Sequence, residues 1–453
     1  MSARRWFLAL VVAGVALRVG LWLVYPPLVA PDTPTYEAVA AHLLSGDFTG
    51  YDGRRPPGYP AVIALAGLSR TGTFVLQMVE GCLVAALLFY LGLALTGRPG
   101  FAALAGMAHN LNLSQLFFEA TLLSETTATL AVTAACALLV WVFQATRAGR
   151  PLAGRLLLLG AISGWAVLTR PQFAYLPVLA AALVAWAARR HGGATLGRSC
   201  ARAALVAVPA LALVLGWAAF NHARVGFFTL STQAGLALFD HSLAFIELAP
   251  DRWAHIRDVA VRHRDARLAA GNGHAAAWDA LPELLATTGL PLPALSRELE
   301  KMSVEMFLRH PLRYTSGVAQ AWVDFWMVPN YWRLERLRLP ELAPWLRGLW
   351  VLEQPLLRLA NVAFVALAAA AALLARARRG PRLDLGLGAI ATVVLLASLT
   401  QAAAIWVENA RYAIPVQSLV VLFVGAAALR LAESRVPAPA LRPAGARRQE
   451  IRP

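Results

Sequence analysis

Runs of about 20 apolar residues recur along this chain with arginines standing between them, and a run of that length is what a helix needs to cross a bilayer. Ten such runs are read, at roughly 6–28, 73–95, 101–118, 123–145, 153–169, 173–188, 203–220, 350–375, 384–406 and 412–431. Composition agrees: 58% of the 453 residues are hydrophobic and 15% are charged, against about 45 to 50% and about 25% in a soluble protein. The expectation is an all-α polytopic membrane protein with about 10 transmembrane helices. Its net charge of +16 is almost wholly arginine, Lys301 being the single lysine. These arginines are spread between the apolar runs, not gathered in one basic tract, so nucleic acid is not an expected partner. Cys82, Cys136 and Cys200 suggest neither a disulfide framework nor a thiolate metal site.

The arginines also orient the spans. With Arg4 and Arg5 inside, the loops after even-numbered spans are inside too, and they carry Arg98; Arg147, Arg150 and Arg155; Arg189, Arg190, Arg198 and Arg202; and Arg376, Arg378, Arg379 and Arg382. The chain then divides into an N-terminal transmembrane module (1–220) with a polar first outer loop (30–72), a helical outer or interfacial loop (221–348), C-terminal transmembrane helices (349–432) and a disordered inner tail (433–453). Within the long loop, "HPLRYTSGVAQAWVDFWMVPNYW" is read as an interfacial helix, because Arg313 and Asp324 interrupt it and counting it as a span would put the 376–382 arginines outside.

The first outer loop concentrates polar residues in an otherwise apolar chain. Asp32 follows the first span directly; "TPTYEAVAAHLLSG" then starts an amphipathic helix at Thr33-Pro34 and stops it at Gly46. Next, "RRPPGYP" is a stiff turn that brings Arg54 and Arg55 to the membrane surface. A carboxylate and two guanidiniums thus face one another near lipid headgroups; the plainer alternative is a helix-ending Asp and arginines that bind bulk lipid phosphate.

These segments resemble the GT-C class of polytopic membrane glycosyltransferases, the group that includes bacterial aminoarabinose transferases of lipid A and protein O-mannosyltransferases. The resemblance rests on "DTPTYEAVAAHLLSG", "RRPPGYP", "LLSET", "VLTRPQ", "FNHARVGFFTLSTQAGLALFDH", "LRHPLRYTSGVAQAW" and "ENARYAIPV", which occur in family order over most of the chain. Many relatives have a second acid after the first-loop Asp, where this chain has Thr33. The resemblance implies an inverting transferase in a bacterial inner membrane, its active site facing the periplasm. Such an enzyme takes a sugar from a polyprenyl-phosphate donor to a hydroxyl of an envelope glycan, lipid or protein.

Asp32 is then the candidate general base, and Arg54, Arg55 and Arg411 with Tyr412 the candidate phosphate-binding groups. Tyr36, Tyr59, Glu125, Arg170, Asp240 and His241 are placed around the substrate mouth. Glu125 has a second reading as a helix-start acid beside Ser124, Arg170 one as a headgroup anchor and His241 one as a solvated loop residue. Arg18 and Glu80, both well inside their spans, are expected to pair, since a lone charge there costs about 2.5 to 3.5 kcal/mol. His109, Asn110 and Asn112 are expected to hydrogen-bond between helices. No cofactor is implied: arginines can neutralise a monophosphate, and a divalent ion, if kept, would lie at Asp32 and Glu125. A transporter or flippase of envelope precursors is the competing class, but neither internal repeats nor matching broken spans are evident.

Overall fold

The computed structural model describes residues 2–271, 276–328, 330–376 and 384–435; the 376–382 arginine cluster lies mostly outside them, as does most of the expected tail. The described residues form helices and connections without a strand. In chain order the helices are α1 (Ala3–Val24), α2 (Thr33–Ser45), α3 (Gly58–Leu65), α4 (Arg70–Thr96), α5 (Pro99–Leu111), α6 (Leu113–Ala120), α7 (Glu125–Arg147), α8 (Ala153–Thr169) and α9 (Leu176–Gly192). There follow α10 (Leu196–Val225), α11 (Ala234–Ser242), α12 (Ala254–Ala269), α13 (Ala276–Thr288), α14 (Leu292–Arg309), α15 (Pro311–Phe325), α16 (Ala343–Arg376), α17 (Leu385–Ala404) and α18 (Ile414–Arg435).

Among the described residues eight of these are long and apolar enough to cross a membrane: α1, α4, α7, α9, α10, α16, α17 and α18. The protein is an all-α, multi-pass membrane protein. The 153–169 run is α8, an apolar helix of 17 residues with the expected bounds. One expected span takes another form. The 101–118 run is not one helix, because Asn112 adopts an extended backbone and its side chain accepts from the Gln115 N–H at 3.0 Å, ending α5 and starting α6.

Helix α7 lies at the centre, packed against α4, α8, α9, α17 and α18. Its run of small residues allows this close approach, and Thr129 satisfies its own hydroxyl by donating to the Glu125 carbonyl at 2.8 Å. The α8–α10 contact uses the same device: a methyl group on Gly160 would come within 2.2 Å of the Val206 oxygen. A second apolar core, with Phe239, Ile256, Leu284, Leu295 and Met302 in it, joins α11 to α14. Helix α15, the segment read as an interfacial helix, is 15 residues long and is not among the eight; it packs along α17, and Trp322 donates to the Ser398 hydroxyl at 2.9 Å.

Candidate active site

Asp32 sits at the N-cap position of α2, yet its backbone is helical and its carboxylate caps nothing. The side chain is free to do something else. One oxygen accepts from Arg55 at 2.6 Å and the other from Arg411 at 3.1 Å, so two guanidiniums from positions 23 and 379 residues away close on it. Burial alone would raise this carboxyl; the two cations outweigh it and hold the group below the usual carboxylate range. Arg55 is fixed in turn, donating to the Thr35 hydroxyl at 2.9 Å and lying 4.5 Å over the Tyr36 ring.

Proximity of the loop to α8 follows from one small residue. Gly58 of the Pro-Pro-Gly-Tyr-Pro turn lies so close to the end of α8 that an added methyl would stand 2.5 Å from the Thr169 nitrogen. That contact brings Arg170 beside the loop. Arg170 forms an ion pair with Glu125 at 3.0 Å and lies 4.3 Å over the Tyr412 ring. Glu125 is wholly buried, and it also accepts from Nε of Arg411. Arg411 therefore spends all three nitrogens on carboxylates: Nε on Glu125, Nη2 on Asp32 and Nη1 on Glu408 at 3.2 Å. Glu408 carries a left-handed backbone, φ +54°, just before the short turn Asn409–Ala413 that leads into α18.

Asp32, Arg55, Arg411, Tyr412, Tyr36, Glu125 and Arg170 thus meet in one polar cluster. Five other expectations are corrected. Arg54 turns away to Asp52 at 3.1 Å, because the backbone on either side is pinned to Ser231 and Thr232. Tyr59 is fully buried and donates to Gln77 at 2.7 Å, so it supports Tyr36 edge-on and does not line the mouth. Asp240 and His241 are spent on backbone. Asp240 accepts from the N–H groups of Trp406 (3.2 Å) and Val407 (3.1 Å), while His241 Nε2 donates to the Ala402 carbonyl at 2.8 Å. Finally, Arg18 does not pair with Glu80. It donates twice to Glu119, at 2.8 and 2.6 Å, and once to Asn110 at 2.8 Å, whereas Glu80 accepts from Thr127. The break at Asn112 turns α6 so that Glu119 reaches α1, and Gly81 makes room: a methyl there would lie 2.0 Å from a Glu119 oxygen. Thr33, next to Asp32, is buried and donates to the Leu122 carbonyl at 2.9 Å.

Two residues of the cluster were not singled out from sequence. Glu408 stands at the head of the quoted "ENARYAIPV", but nothing in its type separated it from a solvated acid. Thr35 is one of three threonine or tyrosine hydroxyls early in α2, and only the fold shows that it faces Arg55.

No family model matches the chain, and no curated protein does. Two solved structures are similar to it, both of ArnT from Cupriavidus metallidurans, one bound to undecaprenyl phosphate and one in the apo state. Each is 17% identical, with 94% of this chain and 78% of that chain covered, and the TM-scores are 0.38 and 0.36. ArnT is an aminoarabinose transferase, the group that the loop motifs resemble. A likeness at this level transfers no chemistry; the cluster has to be read from its own geometry.

Asp240 offers a pH signature. Burial, opposed by its two backbone N–H donors, pushes it up to about 6. Because this is above its unfolded value, its contribution to stability is full below about pH 4 and is lost as pH rises through about 6. Asp240→Asn keeps an acceptor and removes the titration. The difference in thermal stability, wild type minus Asp240→Asn, should fall by about 2 to 3 kcal/mol between pH 4 and pH 8. A difference constant across that range would mean that the carboxyl is not buried as described.

Proposed function

We propose that the protein is an inverting glycosyltransferase that moves a sugar from a polyprenyl-phosphate carrier to an acceptor hydroxyl at the periplasmic face of a bacterial inner membrane. One observation carries this reading: the Asp32 carboxylate held between Arg55 and Arg411, with Arg170 and Glu125 behind, at the ends of apolar helices. A base and a set of fixed cations in one partly buried mouth suit a reaction in which a proton leaves one partner while negative charge grows on the other.

In the proposed step Asp32 accepts the proton of the acceptor O–H. The freed electron pair forms the bond from that oxygen to the anomeric carbon, from the face opposite the phosphate. The bond from that carbon to the phosphate oxygen breaks, its electron pair leaving with the polyprenyl phosphate. Guanidiniums suit the departing group because their planar forks match two phosphate oxygens at once. The same cations explain why Asp32 is a poor base before the donor arrives: they hold its carboxyl low. Turning them towards a phosphate would relieve Asp32 and restore its basicity in the complex that needs it.

An outward mouth matches a carrier-linked donor, since a sugar on a lipid can be presented on the far side of the membrane. Native Cys200, exposed at the start of α10, is an inner-side probe. Single cysteines replacing exposed Thr71 or Asp251, in a background lacking all three native ones, should react with a membrane-impermeant thiol reagent on intact cells. Cys200 alone should react only after the membrane is opened. Labelling of Cys200 from outside would invert the topology and remove the periplasmic reading. Mass spectrometry of envelope lipids and glycans from cells with and without the protein should then show the loss of one sugar modification and identify both sugar and acceptor.

A further inference from the structure

We infer that Glu408 occupies the donor-phosphate position in the ligand-free protein and must be displaced before the donor can be gripped; this rests on the reading proposed above. The inference begins with charge. Asp32, Glu125 and Glu408 face Arg55, Arg170 and Arg411 in one connected set of ion pairs, three acids against three bases. The cluster is already neutral. A phosphate entering it brings one or two further negative charges into a place where desolvated charge is costly, so one carboxylate has to give way.

Geometry decides which one. A phosphate oxygen can reach Arg411 only through a terminal nitrogen, and the two are divided between Glu408 at 3.2 Å and Asp32 at 3.1 Å. Glu125 cannot leave: its side chain is 0% exposed and two guanidiniums hold it. Asp32 is also held twice, from Arg55 and Arg411. Glu408 has a single cation contact, its side chain is 52% exposed, and water is at hand to receive it. Its backbone is left-handed although it is not a glycine, a conformation that persists only where neighbours enforce it. The neighbours do so: Asp240 fixes the N–H groups of residues 406 and 407, and the buried Asn409 side chain donates to the carbonyls of Ile405 (3.0 Å) and Trp406 (2.6 Å). The segment thus presents a carboxylate to the outer nitrogen of Arg411 at the cost of a strained residue. A carboxylate in that position stands in for one phosphate oxygen, in charge and in the hydrogen bond it accepts.

Glu408 then sets how strongly the site prefers a phosphate-bearing lipid over an empty mouth. The test is equilibrium binding of undecaprenyl phosphate to the full-length protein in nanodiscs. Glu408→Gln and Glu408→Ala should bind it about three- to fivefold more tightly than wild type, the range expected for removal of one half-exposed competing charge. Undecaprenol, which lacks the phosphate, should bind all three alike, and inorganic phosphate, which lacks the chain, should compete only in large excess. Arg411→Ala should weaken undecaprenyl phosphate binding. A variant that merely folded badly would lose affinity, so a gain reports on displacement. If Arg411→Ala weakens binding while both Glu408 variants bind like wild type or worse, the placeholder role is overturned and the phosphate site stands. If Arg411→Ala binds like wild type, the phosphate site itself is wrong, and the role of Glu408 falls with it.

Discussion

Asp32→Asn should reduce sugar transfer from a polyprenyl-phosphate donor by about a hundred- to ten-thousandfold while the protein folds and reaches the membrane normally. The amide keeps the size of the carboxyl and can still accept from Arg55 or Arg411, so the mouth keeps its shape. What disappears is the capacity to take up a proton at neutral pH. The loss should fall on kcat. Donor KM should hold or drop, because a neutral amide competes less strongly than a carboxylate with phosphate for the two guanidiniums that Asp32 engages. Reconstituted enzyme with a defined lipid-linked sugar measures both quantities. Near-normal kcat in the Asn variant would take Asp32 out of proton transfer and leave it as a tether for the arginines.

Arg18→Ala should destabilise the fold by about 3 to 5 kcal/mol, the size expected when one partner of a buried ion pair is removed and the other stays behind. Both side chains are almost wholly enclosed, at 2% and 1% exposure. With Arg18 gone, Glu119 would lose two charge-assisted hydrogen bonds and Asn110 would lose one. The variant should denature at lower temperature in detergent and accumulate poorly in membranes. Removing both charges tests the cause: Arg18→Met with Glu119→Leu should recover most of the loss, since an apolar pair of similar volume needs no desolvation. A double variant as unstable as Arg18→Ala would show that packing around Gly81 and Asn110 sets the cost, and the ion pair does not.

The same pair shows where sequence reading stops. The depth of Arg18 in its span said that a partner was needed, and that holds. The sequence offered Glu80 because it lies at a similar depth in its own span, whereas Glu119 falls just beyond the 101–118 run. Only the break at Asn112 and the missing side chain at Gly81 move Glu119 beside Arg18, and both are effects of packing. The polar mouth was easier to read. Asp32, Glu125, Arg170 and Arg411 lie at ends of apolar runs, where a charge is rare enough to be informative, and Arg55 lies in the polar loop that Asp32 opens. Tyr59, Asp240 and His241 lie in the same quoted segments, but side-chain direction is not written in residue type. Their atoms point into backbone and core. Arg54 and Arg55 illustrate the same limit, since two adjacent arginines of identical chemistry point to Asp52 and Asp32 respectively.

The grip on residues 402–407 has a mechanical consequence. Asp240 and His241 from α11 and Tyr314 from α15, which donates to the Ala403 carbonyl at 2.9 Å, all fasten onto the last turn of α17 and the stretch beyond it. Helix α11 is itself locked to α14, where a methyl group on Gly235 would stand 1.7 Å from the Ser296 oxygen. These contacts link the α11–α14 body, like the arm of a lever, to the backbone that leads to Glu408 and, one turn later, to Arg411. The placement of Arg411, one of the two cations on Asp32, is thus tied through this stretch of backbone to a body that never touches the carboxylate.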